Sequence, residues 1–329
     1  MDPIAAVIDE LRRGRRFAIT THIRADGDAI GAELGLHHAL LSMGKRSYVV
    51  NDGLVPKVYQ FLPGAAQIET SGRAPMDVDA VIAVDCPAIE RLGKVGELVS
   101  RQRRKTGQPR LINIDHHKSN TNFGDINWVD AAKSSVGEMI YDLLLAAGEQ
   151  ITPEVAVALY VAIITDTGRF TQRNTTPSCL HAAAKLVDLG VNPDLVGEEV
   201  YRKNSYRLLK LRSLAFDTLR LEAQGRIAVI RLTQEMFRQT QTHPIDTQEF
   251  VDIPRSIEGV NVAVLLRELD EPGKIKVSLR SGDAVDVCQI AQRFGGGGHT
   301  QAAGCEVPGT IDQAEQVILA EIRKEMGRR

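Results

Sequence analysis

The sequence predicts an α/β protein: a doubly wound, mainly parallel sheet, followed by a second, smaller α/β domain. Three observations carry this. Short runs rich in Val, Ile and Ala alternate with longer stretches of helical period over residues 1–190, the pattern of a parallel sheet wrapped by helices. Beyond residue 217 the order of strand-like and helix-like segments changes. A chain of 329 residues also exceeds what one core usually holds. The predicted division is a first domain at 1–190, a helical linker at 191–217 and a second domain at 218–329.

The elements follow in order. Ile4, Val7, Ile8 and Leu11 recur at helical spacing, so the chain opens with an amphipathic helix. Phe17 to Thr21 is a short apolar run read as a strand. Ala29 to Met43 is helical and stops at Gly44, a C-terminal cap. Arg46 to Val50, Val78 to Val84 and Leu111 to Ile114 read as further strands. Thr152-Pro153 and Thr176-Pro177 each place a capping residue before a proline, which starts helices running to about Ile164 and Leu189. Asn192-Pro193 opens a helical connector over Asp194 to Asp217. In the second domain Arg226 to Leu232, Val260 to Arg267 and Lys274 to Arg280 read as strands. Thr233 to Gln239, Asp286 to Phe294 and Asp312 to Met326 read as helices, and a run of four glycines, Gly295 to Gly298, precedes His299.

Composition narrows the function. With 40 Lys and Arg against 42 Asp and Glu the formal net charge is -2, which argues against a groove for duplex DNA or long RNA. A small anionic substrate stays open, because bound cations would add charge that the count omits. The four cysteines fall in no paired spacing and read as reduced thiols. No apolar run approaches the roughly 18 residues of a membrane span, and the N-terminus lacks the charge order of a signal peptide. A cytoplasmic enzyme or binding protein is expected.

Four clusters carry chemistry. His22-Ile-Arg-Ala-Asp26-Gly-Asp28 follows the first strand and puts an imidazole and two carboxylates within seven residues. Asp85 ends one apolar run and Asp115-His116-His117 ends another. At the carboxyl ends of parallel strands such residues face the crevice where open α/β sheets bind ligands. Asp166 ends the helix that runs into Thr167-Gly168-Arg169-Phe170. Each cluster alone also reads as a cap, a turn or a structural histidine. Together, carboxylates and imidazoles at the ends of four apolar elements suit Mn²⁺ or a similar ion, and their number suits two ions sharing a carboxylate.

In order and spacing, His22-x-x-x-Asp26-x-Asp28, Asp85, Asp115-His116-His117 and Thr165-Asp166 resemble the four motifs of the DHH phosphoesterase superfamily. The glycine run with His299 resembles the signature of the DHH-associated C-terminal domain. A chain of this length is similar to the nanoRNase/pAp phosphatase group. The resemblance implies a catalytic domain facing the smaller domain across a cleft. It implies two Mn²⁺ ions, with Co²⁺ or Mg²⁺ as substitutes. One ion would take His22 and Asp26, the other Asp28, His116 and Asp166, with Asp85 bridging. Asp115 would orient a neighbouring histidine, and His117 would touch the scissile phosphate or protonate its leaving oxygen. Gly297, Gly298 and His299 would cradle a phosphate as a backbone nest, and Arg280 and Ser281 would grip another.

The implied substrates are short RNA, dinucleotides and adenosine 3′,5′-bisphosphate (pAp). The implied partners include no duplex DNA and no membrane, and a homodimer is compatible. Dinucleotide second messengers such as pApA, pGpG or cyclic di-AMP are the alternative substrates. Inorganic pyrophosphatase, long-strand exonuclease and a non-catalytic nucleotide sensor complete the readings.

Overall fold

In the computed structural model, which describes residues 2–71, 77–282 and 284–327, the chain divides into two compact units, Met1–Lys203 and Asn204–Arg329.

The first unit contains α1 (Pro3–Arg13), β1 (Arg16–Thr20), α2 (Gly27–Ser42), β2 (Arg46–Asn51), β3 (Glu69–Thr70), β4 (Ala80–Val84), α3 (Lys94–Thr106), β5 (Arg110–Asp115), β6 (Ile126–Val129), α4 (Val136–Ala147), α5 (Pro153–Asp166), α6 (Pro177–Asp188) and α7 (Pro193–Gly197). A π-helical turn, Glu198–Arg202, continues α7. These strands pair in parallel, in the order β3-β2-β1-β4-β5-β6. Strand alternation sorts the two faces. Phe17 and Ile19 of β1 join the large cluster with α1, α2, α4, α5 and α6, whereas Ala18 joins Val95 and Val99 of α3 on the other face. The strand order reverses between β1 and β4, so their carboxyl ends flank the natural ligand crevice of this topology.

Close packing of α2 on α5 bears directly on that crevice. A side chain at Gly27 would start 2.3 Å from Thr165 Oγ1, and one at Gly31 would start 2.4 Å from the Ala158 carbonyl oxygen. Without Cβ atoms the two helices approach backbone to backbone, so the start of α2 lies beside the end of α5. The expected caps hold as well: Thr152 Oγ1 accepts from Val155 N–H and Thr176 Oγ1 from Cys179 N–H.

The second unit contains α8 (Tyr206–Asp217), β7 (Arg220–Glu222), β8 (Ile227–Leu232), α9 (Gln234–Thr240), α10 (Asp252–Arg255), β9 (Val262–Glu268), β10 (Lys274–Ser281), α11 (Val287–Gln292), β11 (Gly297–His299), β12 (Ala302–Pro308) and α12 (Ile311–Met326). Its sheet runs β11-β12-β10-β9-β8-β7, with β8 and β9 parallel and the other pairs antiparallel. Both faces are covered. Val229, Val264 and Val277 pack with Ile290 of α11 and Ile318 of α12, while Ile230 and Leu265 pack with Leu211 of α8 and Phe237 of α9.

The expected helix from Asp194 to Asp217 is interrupted. α7 and its π-helical turn belong to the first unit, Ser205 caps a new helix through Leu208 N–H, and α8 buries Leu211 and Ala215 in the second core. No described helix is long and apolar enough to cross a membrane.

Candidate metal centre

The sheet positions most of the site through its strand ends. His22 lies two residues past β1, Asp85 directly past β4, and Asp115 is the last residue of β5, followed by His116 and His117. Asp26 is the N-cap of α2, its side chain accepting from Ala29 N–H, and Asp28 lies in the helix's first turn. Asp166 ends α5. Residues separated by up to 144 positions in the chain (166 less 22) are thereby collected at one edge of the sheet.

Within the first unit, ligand-capable atoms of the described residues form three groups, each with all its atoms within 4.8 Å of one another: His22, Asp26 and Asp85; Asp28, His116 and Asp166; and Asp85, Asp115 and His117. Asp85 connects them. Its carboxylate stands 3.5 Å from His22 Nε2, 3.7 Å from His116 Nε2 and 3.6 Å from His117 Nδ1. His116 Nε2 is also 3.7 Å from Asp28 and 3.8 Å from Asp166.

Burial makes this arrangement costly without a counter-charge. Asp85 is 2% exposed and its Oδ1 has no hydrogen-bond partner. Burial, followed by repulsion from Asp28, Asp26, Asp115 and Asp166, holds its carboxyl well above the usual range. Asp28 is raised in the same way, chiefly by burial and next by Asp166. Burial lowers His22 to about 4, so its imidazole is neutral and has a lone pair to give. Asp85 also sits at φ 52°, a left-handed conformation that costs a non-glycine residue energy and clusters at functional sites. An orphaned buried oxygen, crowded carboxylates and the neutral His22 imidazole fit a divalent-cation site.

Hydrogen bonds fix the tautomers. His116 Nδ1 lies 3.2 Å from the Lys133 carbonyl, which can only accept, so Nδ1 carries a proton and Nε2, facing the carboxylates, is the nitrogen left for a cation. His117 Nδ1 lies 2.8 Å from Asp115 Oδ1, and Asn120 Nδ2 donates to Asp115 Oδ2 at 2.5 Å. Burial opposes both charges of that pair, yet their hydrogen bond lowers Asp115 and raises His117. The histidine that Asp115 orients is therefore His117. His22 differs: its Nδ1 accepts from Arg24 N–H at 3.3 Å, so a cation at Nε2 requires the ring to exchange tautomer and give up that long contact.

Sequence reasoning missed several supports. Both oxygens of Asp28 accept backbone N–H bonds at the start of α4, from Val136 at 2.7 Å and Gly137 at 2.9 Å, so a helix N-terminus holds this carboxylate. Ser135-Val-Gly-Glu138, a capping-box spacing, was the signal for that helix start. Asn174, eight residues beyond the end of α5, donates to Asp166 Oδ2 at 3.0 Å. Cys86, beside Asp85, is a packing residue: it is buried, and burial pushes its thiol up to about 12.

The second unit's candidates lie at the ends of its strands. Arg280 pairs with Asp252 at 3.1 Å. Ser281 is buried, and its hydroxyl donates to the Val285 carbonyl at 2.7 Å. Gly297, Gly298 and His299 form β11, opposite Gly304, Ala303 and Ala302 of β12, where a loop nest was expected. Sterics explain the glycines here, since a Cβ at Gly298 would meet the Ala302 carbonyl oxygen at 2.4 Å.

Comparison with known proteins gives a consistent picture. Residues 16–163 match the DHH family, N-terminal domain, and residues 224–328 match the DHHA1 domain. The chain is 34% identical over 312 residues to the bifunctional oligoribonuclease and PAP phosphatase NrnA of Thermus thermophilus, which covers 94% of this chain and 90% of that protein. It is 26% identical to the Bacillus subtilis protein of the same name, over 90% of each chain. Among solved structures, an exopolyphosphatase-related protein from Bacteroides fragilis superposes with a TM-score of 0.89 at 29% identity, covering 99% of this chain and 96% of that one. RecJ from Thermus thermophilus in complex with Mn²⁺ gives a TM-score of 0.57 at 15% identity, covering all of this chain and 54% of RecJ, a likeness of fold.

Proposed function

Since this chain belongs to the DHH family of phosphoesterases, we propose that it hydrolyses short oligoribonucleotides to mononucleotides and pAp to AMP. In this reading two Mn²⁺ ions occupy the centre, one at His22 and Asp26 and the other at Asp28, His116 and Asp166, with Asp85 serving both. Co²⁺ or Mg²⁺ would substitute. When bound, the ions supply positive charge that neutralises phosphoryl oxygens and acidifies the attacking water.

The chain's own groups do the rest. Asp115 accepts from His117 Nδ1 and keeps the imidazole in one orientation. His117 would then serve through Nε2 as a proton donor to the departing ribose oxygen, a role its raised pKa favours. Asn120 holds the second oxygen of Asp115, so the carboxylate cannot swing away. On the second unit, Arg280, Ser281, Gly297, Gly298 and His299 are the proposed contacts to the rest of the nucleotide. Arg280 would share its guanidinium between Asp252 and a substrate phosphate.

The observation that supports this reading most is the placement of Asp85 between the two ligand groups, buried, with one oxygen unpartnered. The names of the NrnA relatives supply the substrate class. The test is a parallel assay with Mn²⁺ on pAp, pApA, an RNA ladder, cyclic di-AMP and pyrophosphate. Turnover of pAp and of RNA of about two to five nucleotides, with little on a 20-mer, is the expected result. Equal rates on long RNA, or turnover of pyrophosphate alone, would reject it.

A further inference from the structure

We infer that Asn174 is a positioning residue for one of the two cations, acting through the loop 133–137; the inference rests on the two-cation reading above. The segment bonds Asp28 and His116 of the Asp28, His116 and Asp166 group directly, and Asp166 through Asn174. The Lys133 carbonyl accepts from His116 Nδ1 at 3.2 Å. Val136 and Gly137 N–H groups take both oxygens of Asp28. The Ser134 carbonyl accepts from Asn174 Nδ2 at 2.8 Å, and the same amide nitrogen donates to the Asp166 backbone carbonyl at 3.0 Å and to Asp166 Oδ2 at 3.0 Å. One side chain thus ties the end of α5 to the loop that aims the other two ligands.

Asp166 is the group member that most needs such a tie. Its side chain is 22% exposed, against 1% for Asp28 and 4% for His116. It also stands at the last residue of a helix, where backbone order is weakest. The chain then turns through three left-handed residues, Gly168, Arg169 and Phe170. Asn174 lies at the far side of that turn, closing it back on Asp166. Its Oδ1 is buried and has no partner, so the amide is oriented by what its nitrogen gives. Outer partners of ligating groups commonly change metal affinity by about 10–100-fold when removed.

The test is a Mn²⁺ titration of parent, Asn174→Ala and Asn174→Asp, following free Mn²⁺ by electron paramagnetic resonance, with a thermal melt of each metal-free protein. Asn174→Asp keeps the shape but faces Asp166 with a second carboxylate in place of a donor. The inference expects one of two ions to bind about 10–100-fold more weakly in Asn174→Ala, and more weakly still in Asn174→Asp, with the other ion unaffected. The Mn²⁺ concentration for half-maximal pAp hydrolysis should rise in step, while the rate at saturating Mn²⁺ falls less. Lower melting temperatures with both ions bound at parental affinity would assign Asn174 a purely structural role and overturn the inference. A parent that takes up fewer than two ions would instead remove the two-cation premise, and the inference with it.

Discussion

Replacing Asp85 by Asn should have opposite effects on catalysis and on metal-free stability, because the side chain's burden and its use come from the same surroundings. Two divalent cations would bring four positive charges to a centre whose proposed ligating carboxylates are Asp26, Asp28, Asp85 and Asp166. The charges balance, and the Asp85→Asn variant leaves one unmatched in a buried setting. An uncompensated buried charge costs about 3–5 kcal/mol, or roughly 10²–10⁴-fold in occupancy at about 1.36 kcal/mol per decade. The rate on pAp at fixed Mn²⁺ should therefore fall by at least about 100-fold.

Without metal the sign reverses. Asp85 has a raised folded pKa, so its contribution to stability is complete below the unfolded value of about 3.9 and is lost as pH rises through the folded value. The neutral amide of Asp85→Asn carries no such loss, so in EDTA at pH 8 the variant should melt above the parent, with a flatter dependence on pH. Phosphate release and thermal melts with and without Mn²⁺ measure both effects. A variant that hydrolyses pAp as fast as the parent would refute the catalytic argument, and one that melts lower in EDTA at pH 8 would refute the electrostatic one.

Other consequences follow from the same geometry. Each Mn²⁺ ion bound at 100 times its dissociation constant should stabilise the parent by about 2.7 kcal/mol, read as a rise in melting temperature. Its binding should release protons, because Asp28 and Asp85, whose carboxyls burial raises, must be ionised to hold it; calorimetry in buffers of different ionisation enthalpy would detect this, and identical heats in every buffer would deny it. His117→Ala should lower hydrolysis of ribose esters by about 10²–10⁴-fold and much less for a p-nitrophenyl ester, whose leaving group needs no proton; equal losses on both would remove the acid role. Asp115→Asn should move the alkaline limb of the pH–rate profile to lower pH, since the Asp115 bond raises His117; an unmoved limb would count against the pair. Gly31→Val should destabilise by about 1–3 kcal/mol and also reduce activity, because its Cβ would start 2.4 Å from the Ala158 carbonyl oxygen and drive α2 from α5; a stable, fully active variant would show that the approach is not needed.

Much of the centre was legible because its side chains stand where apolar runs end. β1, β4 and β5 are short apolar segments that read as buried strands, so His22, Asp85 and Asp115-His116-His117 emerge at one edge of the sheet. Asp166 was legible for the corresponding reason on α5. What escaped is held by main-chain groups or by distant partners. The donors to Asp28 are backbone N–H groups, which no side-chain pattern displays. Asn174 finds Asp166 only because the intervening turn folds back. In the second unit, β11 and the start of β12 are rich in Gly and Ala, so their strand character comes from pairing, β11 with β12 and β12 with β10, rather than from propensity. The break between α7 and α8 is likewise a tertiary outcome, because two cores compete for one helical stretch.

Diffraction from crystals grown with Mn²⁺, recorded at the manganese absorption edge, tests the central claim most directly. The account predicts two anomalous peaks about 3.5–4 Å apart, with Asp85 between them, one beside His22 and Asp26 and the other beside Asp28, His116 and Asp166. A single peak, or two peaks that Asp85 does not join, would contradict it.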